Sequence, residues 1–322
     1  MELKRLSSKH KNNKLLYYLR NYCRLLLPNS YYQQKLDRKL NSISDQHLKS
    51  LQSRLNYYNQ LSQHQSISSS SKKLSYININ EDSKTYFFDF REFHRYFDQS
   101  LNVEYAFGDI THVPDVPTFV KSRPIKGNNE NSILLKWDKV RHFTFVKRDR
   151  KSFLDKENKL VFRGKVHHTQ PHRIKFMELY NSHPLCNVGK VNKNNLPDQW
   201  NVNRMTIEEQ LNYKFILSLE GNDVASNLKW VMSSNSVAVM PQPKFETWFM
   251  EGQLIPDHHY IEIKEDYSNL EERLDYFTKH PQEAMAINRN AKQYVTQFQD
   301  KENEILLSLL VLEKYFKYTG QL

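Results

Sequence analysis

Apolar positions recur along this chain in two rhythms. In residues 14–27, "KLLYYLRNYCRLLL", Leu15, Leu19, Tyr22 and Leu26 share one helical face, with Arg20 and Arg24 between them. Pro28 ends the run, since proline cannot donate the next helical hydrogen bond. Leu36, Leu40, Ile43, Leu48, Leu51 and Leu55 predict a second helical segment over 31–62. "SISSSSKKLS" (66–75) has the composition of a flexible linker. From residue 76 "YINI" and "KTYFFDF" read as strands and "FREFHRYFDQS" as a short helix. "VEYAFGDITHVPDVPTFVKSRPI" combines a β-rich run with a loop braced by Pro114 and Pro117.

After residue 150 strands and helices alternate. The strands are "KLVFRG", "LCNVGKV", "KFILSLEG", "SVAVMP" and "HYIEI". Their following helices are "PHRIKFMELYN", "TIEEQLNY", "ASNLKWVMSS", "ETWFMEGQL" and "NLEERLDYFTKH". Such alternation predicts a parallel sheet covered on both faces, binding ligands at the carboxyl ends of its strands. Two helices, "PQEAMAINRNAKQYVTQFQ" and "KENEILLSLLVLEKYFKY", close the chain.

Composition adds bounds. A chain of 322 residues, 39% hydrophobic and 13% aromatic, is long enough for two folded domains. It has no run of apolar residues long enough to span a bilayer, and no signal-peptide pattern at its start. Two cysteines, Cys23 and Cys186, form no disulfide framework, and the expected location is cytoplasmic. The net charge of +11 is localised. Residues 1–75 hold 14 Lys/Arg and 3 Asp/Glu, and the rest of the chain has 33 of each. A nucleic-acid enzyme would carry basic charge around its groove as well, so no nucleic-acid partner is expected. An arm on an anionic membrane surface needs the charge only where it meets lipid. The helix at 14–27 fits either such an interfacial helix or an ordinary docking helix.

Only 7 glycines occur, so their positions carry weight. Gly221 ends a predicted strand and is followed by Ser226, Asn227 and Lys229 at a predicted helix start. Gly164 repeats the shape, with Arg163, Lys165 and Arg173 nearby. Neither turn is a dinucleotide fingerprint or a P-loop. Two glycine-bearing strand ends with basic neighbours suit a phosphate-bearing ligand. His167, His168 and His172 lack an acidic or thiolate partner and Pro171 interrupts them, so no metal site is expected. The Asp-x-Asp motif of metal-bound diphosphates and the Gly-x-Ser-x-Gly nucleophile elbow are both absent. Cys186 lies inside a predicted strand as a core residue.

"FRG" with Arg173 after it, "KFILSLEGNDVASNLKWVMSSNSVAVM" and "ETWFMEGQLIPDHHYIEI" together resemble glycosyltransferase family 90. That family includes the lipopolysaccharide A proteins and the protein O-glucosyltransferases. The resemblance covers roughly residues 100–318, and "YAFGDITHVPDVPTFVKSRPI" looks like the bacterial lipopolysaccharide branch. It implies a GT-B fold, with two Rossmann-like α/β domains facing a cleft. It also implies an inverting, metal-independent enzyme using a UDP-sugar donor, with no cofactor. Asp109 matches the general base, with Asp115 the competitor in the same loop. Arg173, Ser226 and Lys229 match donor-phosphate positions, and Glu246 an acidic position toward the ribose. Arg163, Gly164, Gly221 and Asn227 complete the expected donor-binding set. Lys229 and Glu220 depart from arginines common in the eukaryotic members.

The organisation expected is a basic helical arm (1–65), the Ser-rich linker (66–75), an acceptor-side domain (76–150), a donor domain (151–300) and a C-terminal helix packing back (301–322). The function expected is transfer of a hexose from UDP-hexose to a lipid-linked lipopolysaccharide or lipooligosaccharide core, peripherally at the inner face of the inner membrane. A protein O-glycosyltransferase on the same fold is one rival. A basic interaction protein with a degenerate nucleotide-binding module is the other.

Overall fold

A computed structural model describes residues 9–80 and 83–322. The first eight residues of the expected basic arm lie outside the described residues. The chain forms two compact units.

One unit, mixed in structure, comprises Asn13–Val140, Lys244–Gly252 and Phe298–Leu322. Its N-terminal helices are α1 (Lys14–Leu25), α2 (Asn29–Gln33), α3 (Leu36–Asn41) and α4 (Asp45–Tyr58). The single helical segment expected over 31–62 is thus three helices. Ser44 stops the run by capping α4, its hydroxyl accepting from the His47 amide. Strand β1 (Lys72–Lys73) pairs with β2 (Asn102–Val103), so part of the expected linker belongs to a small sheet. "YINI" is not a strand. A 3₁₀ turn at Leu74–Tyr76 takes its first residue, and the Asn78 side chain accepts from the Asn80 amide.

"KTYFFDF" is not a strand either. Lys84–His94 forms α5. Tyr86, Phe87, Phe88, Asp89, Phe90 and Phe93 are all buried, so the helix is covered nearly all round and its aromatic run reads as a strand in the letters. Strands β3 (Tyr105–Ala106), β4 (Thr118–Val120) and β6 (Ser132–Leu134) make a three-stranded parallel sheet. Strand β5 (Ser122–Pro124) pairs antiparallel with β11 (Phe245–Thr247). The expected helix "ETWFMEGQL" therefore fails. Met250 takes φ +53°, a left-handed conformation no helix continues through, and the Glu251 carboxylate accepts from the Thr247 amide and hydroxyl. Helix α12 (Lys301–Tyr318) is fixed in this unit through Glu304, which accepts from Arg54 (2.6 Å), Lys136 (2.5 Å) and the Trp248 indole (2.8 Å).

Helix α1 turns its leucines outward. The inner stripe is Tyr17, Asn21 and Arg24, at i, i+4 and i+7. The Tyr17 hydroxyl donates to Asp89 at 2.7 Å and Arg24 pairs with Glu92 at 3.0 Å, both on α5. Arg95 donates to the Arg24 and Leu27 carbonyls, closing the C-terminus of α1. Carboxylates on α5 thus select the polar face of α1 for packing.

The other unit comprises Arg141–Pro243 and Gln253–Gln297, with the described part of Met1–Asn12. A single turn, α6 (Lys139–His142), precedes its sheet in the chain. The strands are β7 (Glu157–Gly164), β8 (Cys186–Lys190), β9 (Tyr213–Leu217), β10 (Val237–Met240) and β12 (Ile261–Glu262). They form one parallel sheet in the order β12-β10-β9-β7-β8, as the alternation predicted. All of β9 and β10 is buried, as strands covered on both faces must be. Helices α7 (Pro171–Tyr180), α8 (Ile207–Gln210), α9 (Leu228–Met232), α10 (Leu270–Lys279) and α11 (Pro281–Thr296) complete the unit. "TIEEQLNY" yields only one turn: the Thr206–Glu209 capping box starts α8, but Tyr213 already enters β9. Cys186 packs against the core, and burial pushes its thiol up to about 12.

Candidate active site

Two strand-end turns lie side by side in the five-stranded sheet, because β7 and β9 are hydrogen-bonded neighbours, with Leu160 opposite Phe215. Arg173, in the first turn of α7, crosses from one to the other. Its Nε donates to the Glu220 carbonyl (2.7 Å), Nη2 to the Leu219 carbonyl (2.7 Å) and Nη1 to the Lys165 carbonyl (2.6 Å). A guanidinium has five N–H donors, so these bonds leave two for another acceptor. Burial lowers the Arg173 pKa to about 10, which still leaves it cationic at neutral pH. His172 contacts the same Glu220 carbonyl at 2.8 Å, and Gln170 donates to Asn222 at 3.3 Å.

Gly221 sits against this cluster: a Cβ there would lie 3.5 Å from Arg173 Nη2 and 3.8 Å from the Val224 carbonyl. Those are ordinary contacts, so crowding does not demand glycine. What its hydrogen leaves is open approach to the guanidinium. Gly164 has a different reason, since a Cβ would collide with the Phe162 ring at 2.4 Å. Ser226 is exposed in the turn before α9, and the Asn227 side chain donates through Nδ2 to the Leu217 carbonyl at 2.9 Å. Lys229 is fully buried, with its ammonium 5.7 Å from the centre of the Phe143 ring. Helix α9 has only five residues, so its dipole adds little.

Arg163 points to other neighbours. It donates to the Asn187 carbonyl and side chain, both at 2.7 Å, and to the Asn203 carbonyl at 3.2 Å. It braces β8 and the 203 loop, while Arg173 clamps the turn after β9. Among the described residues no three His, Cys, Asp or Glu side chains gather as metal ligands.

Asp109 belongs to the mixed unit. Gly108 before it has φ +115°, where a side chain is strained, so the chain can leave β3 sharply. The Asp109 carboxylate pairs with the buried Lys121 ammonium, and the Ser122 hydroxyl donates to the Ile110 carbonyl at 3.0 Å. Asp115 lies farther along the loop, where Asn131 donates to the Pro114 and Asp115 carbonyls. Glu246, on β11, also lies in this unit. It is 2% exposed, accepts from Arg123 Nε at 2.7 Å and pairs with the Tyr57 hydroxyl. Burial raises its pKa despite Arg123. Lys121, Arg123, Gln170 and His172 were not singled out for these roles from sequence. "KSRPI" and "TQPHR" contain them, but nothing in those letters tells which carbonyl or carboxylate they meet.

The sequence model of glycosyl transferase family 90 matches residues 127–319. A relative described as the O-glucosyltransferase LpsA of Dichelobacter nodosus is 43% identical over 266 residues, covering 83% of this chain and 82% of that protein. The uncharacterized protein 035R of Invertebrate iridescent virus 3 is 27% identical over 172 residues, covering 46% of this chain and 16% of its own length. A parallel α/β sheet with a basic clamp at its strand ends, a family match over more than half the chain and a relative alike over four-fifths of both lengths agree. The chain is a glycosyltransferase and belongs to family 90.

Proposed function

We propose that this glycosyltransferase is an inverting enzyme that moves a hexose from a UDP-sugar to a lipid-linked lipopolysaccharide or lipooligosaccharide core, at the cytosolic face of the inner membrane. The name of the Dichelobacter relative makes glucose the first sugar to test. The GT-B arrangement of two Rossmann-like domains is part of the same reading.

The observation that carries it is the Arg173 clamp. A half-buried guanidinium whose bonds go to three neutral carbonyls keeps its positive charge for a ligand. At the ends of two adjacent parallel strands, that ligand is the donor diphosphate. In the reaction, the base takes the acceptor hydroxyl proton as its oxygen bonds the anomeric carbon. The anomeric carbon–oxygen bond to UDP breaks, and the leaving diphosphate carries its charge away against Arg173. Asp109 is the base in this reading, its carboxylate oriented by Lys121. Ser226 and Lys229 are the donor-phosphate residues of this reading, and Glu246 is its ribose residue.

Purified protein given a panel of UDP-sugars with lipid-linked core and peptide acceptors tests the reading by product mass. A hexose added to the lipid-linked core supports it. Transfer to peptide alone establishes the protein O-glycosyltransferase instead. UDP binding with no transfer to either class overturns the acceptor assignment.

A further inference from the structure

Helix α1 is amphipathic, and its apolar side is the one left exposed. Leu15 is 80% exposed, Leu19 58% and Leu26 85%, with Leu16, Tyr22 and Leu27 beside them. The opposite face is already committed to α5 through Tyr17 and Arg24. These leucines are therefore not core residues of the unit, and an exposed stripe of this kind needs another occupant.

We propose that the outer face of α1, continued at the α1–α2 corner, docks on an anionic lipid bilayer. Charge selects this occupant. Residues 1–39 contain ten Lys/Arg and two Asp/Glu, and Lys11, Lys14 and Arg20 are exposed around the leucines. A second copy of the chain would bring the same excess of positive charge against itself. An anionic surface neutralises it while the leucines enter the boundary of the acyl chains, and the long basic side chains reach the headgroups. No described helix is long and apolar enough to cross a membrane, so α1 lies along the surface. The inference stands on the geometry of α1 and goes beyond the transfer reaction, holding whichever sugar is moved.

The test is co-sedimentation of the full chain with vesicles of phosphatidylethanolamine and phosphatidylglycerol, and with phosphatidylcholine alone. Binding to the anionic vesicles is expected, falling as salt rises. The triple variant Leu15→Ser/Leu19→Ser/Leu26→Ser should lose more than about tenfold in vesicle partitioning with an unaltered melting temperature, because those side chains touch solvent. Lys11→Gln/Lys14→Gln/Arg20→Gln should bind more weakly and lose the salt dependence. Equal partitioning of the serine variant and the parent overturns the proposal. So does a parent that ignores vesicles, or one that is a dimer which the serine variant makes monomeric. UDP affinity, measured on the same proteins, reports separately on the transferase reading.

Discussion

Arg173 illustrates how one side chain can be architectural and chemical at once. Its three carbonyl contacts join the turns after β7 and β9, and the charge they leave unneutralised suits a diphosphate. Arg173→Ala should weaken UDP binding by about 1.5–3 kcal/mol, the worth of a charge-assisted hydrogen bond. Titration calorimetry checks it, and unchanged affinity places the donor elsewhere. Lys229→Ala should lower both UDP affinity and the melting temperature, because its ammonium is buried rather than solvated. Asp109→Asn keeps the shape of the side chain but cannot take the proton. Turnover should fall about 10²–10⁴-fold with UDP-sugar binding close to normal. If Asp115→Asn loses turnover while Asp109→Asn keeps it, the two roles exchange. Residue types at these positions were legible from the strand-end glycines and the family pattern. Their partners were not: Arg163 and Arg173 look alike in the letters, yet one braces β8 and the other clamps the turn after β9.

At the scale of elements, the contact between α1 and α5 depends on buried charge. Burial alone would raise the Glu92 carboxyl, but Lys139 and Arg24 hold it down at about 2. A carboxyl depressed in the folded state adds stability that is complete above its unfolded pKa, about 4.5. That contribution is lost as pH falls from there toward 2. The melting temperature should therefore drop over this window, and Glu92→Gln should flatten the drop while costing on the order of 1–3 kcal/mol at neutral pH. Thermal melts of parent and variant across the window measure both. Equal pH profiles would remove Glu92 from the account. Helix α10, with its clean apolar stripe of Leu270, Leu274 and Phe277, appears where the letters place it. Helix α5 does not, because the consecutive aromatics of "YFFDF" have strand-like propensity and outweigh the helical spacing of Asp89 and Glu92. The stretch after β10 misleads for the opposite reason: Glu251 and the left-handed Met250 turn a helix-like composition into a strand and a 3₁₀ turn.

For the whole molecule, the sequence feature bearing on mechanism is the missing Asp-x-Asp motif beside two basic strand ends. Full transfer activity is expected in excess chelator. Loss of activity that magnesium or manganese restores would reassign the stabilisation of the leaving group. The alternation of strands and helices after residue 150 was sufficient to determine a parallel α/β sheet, since buried parallel strands need continuous apolar runs with helices between them. The localised charge and the leucine period at 14–27 were likewise plain in the letters. Tertiary structure alone decided which face of α1 is buried, because Asp89 and Glu92 on α5 draw its polar stripe inward. It also decided that residues 244–252 join the mixed unit, through the pairing of β11 with β5 and of Glu246 with Arg123. Local periodicity reports the conformation of a segment. Partner choice depends on groups far along the chain, and only packing brings those together.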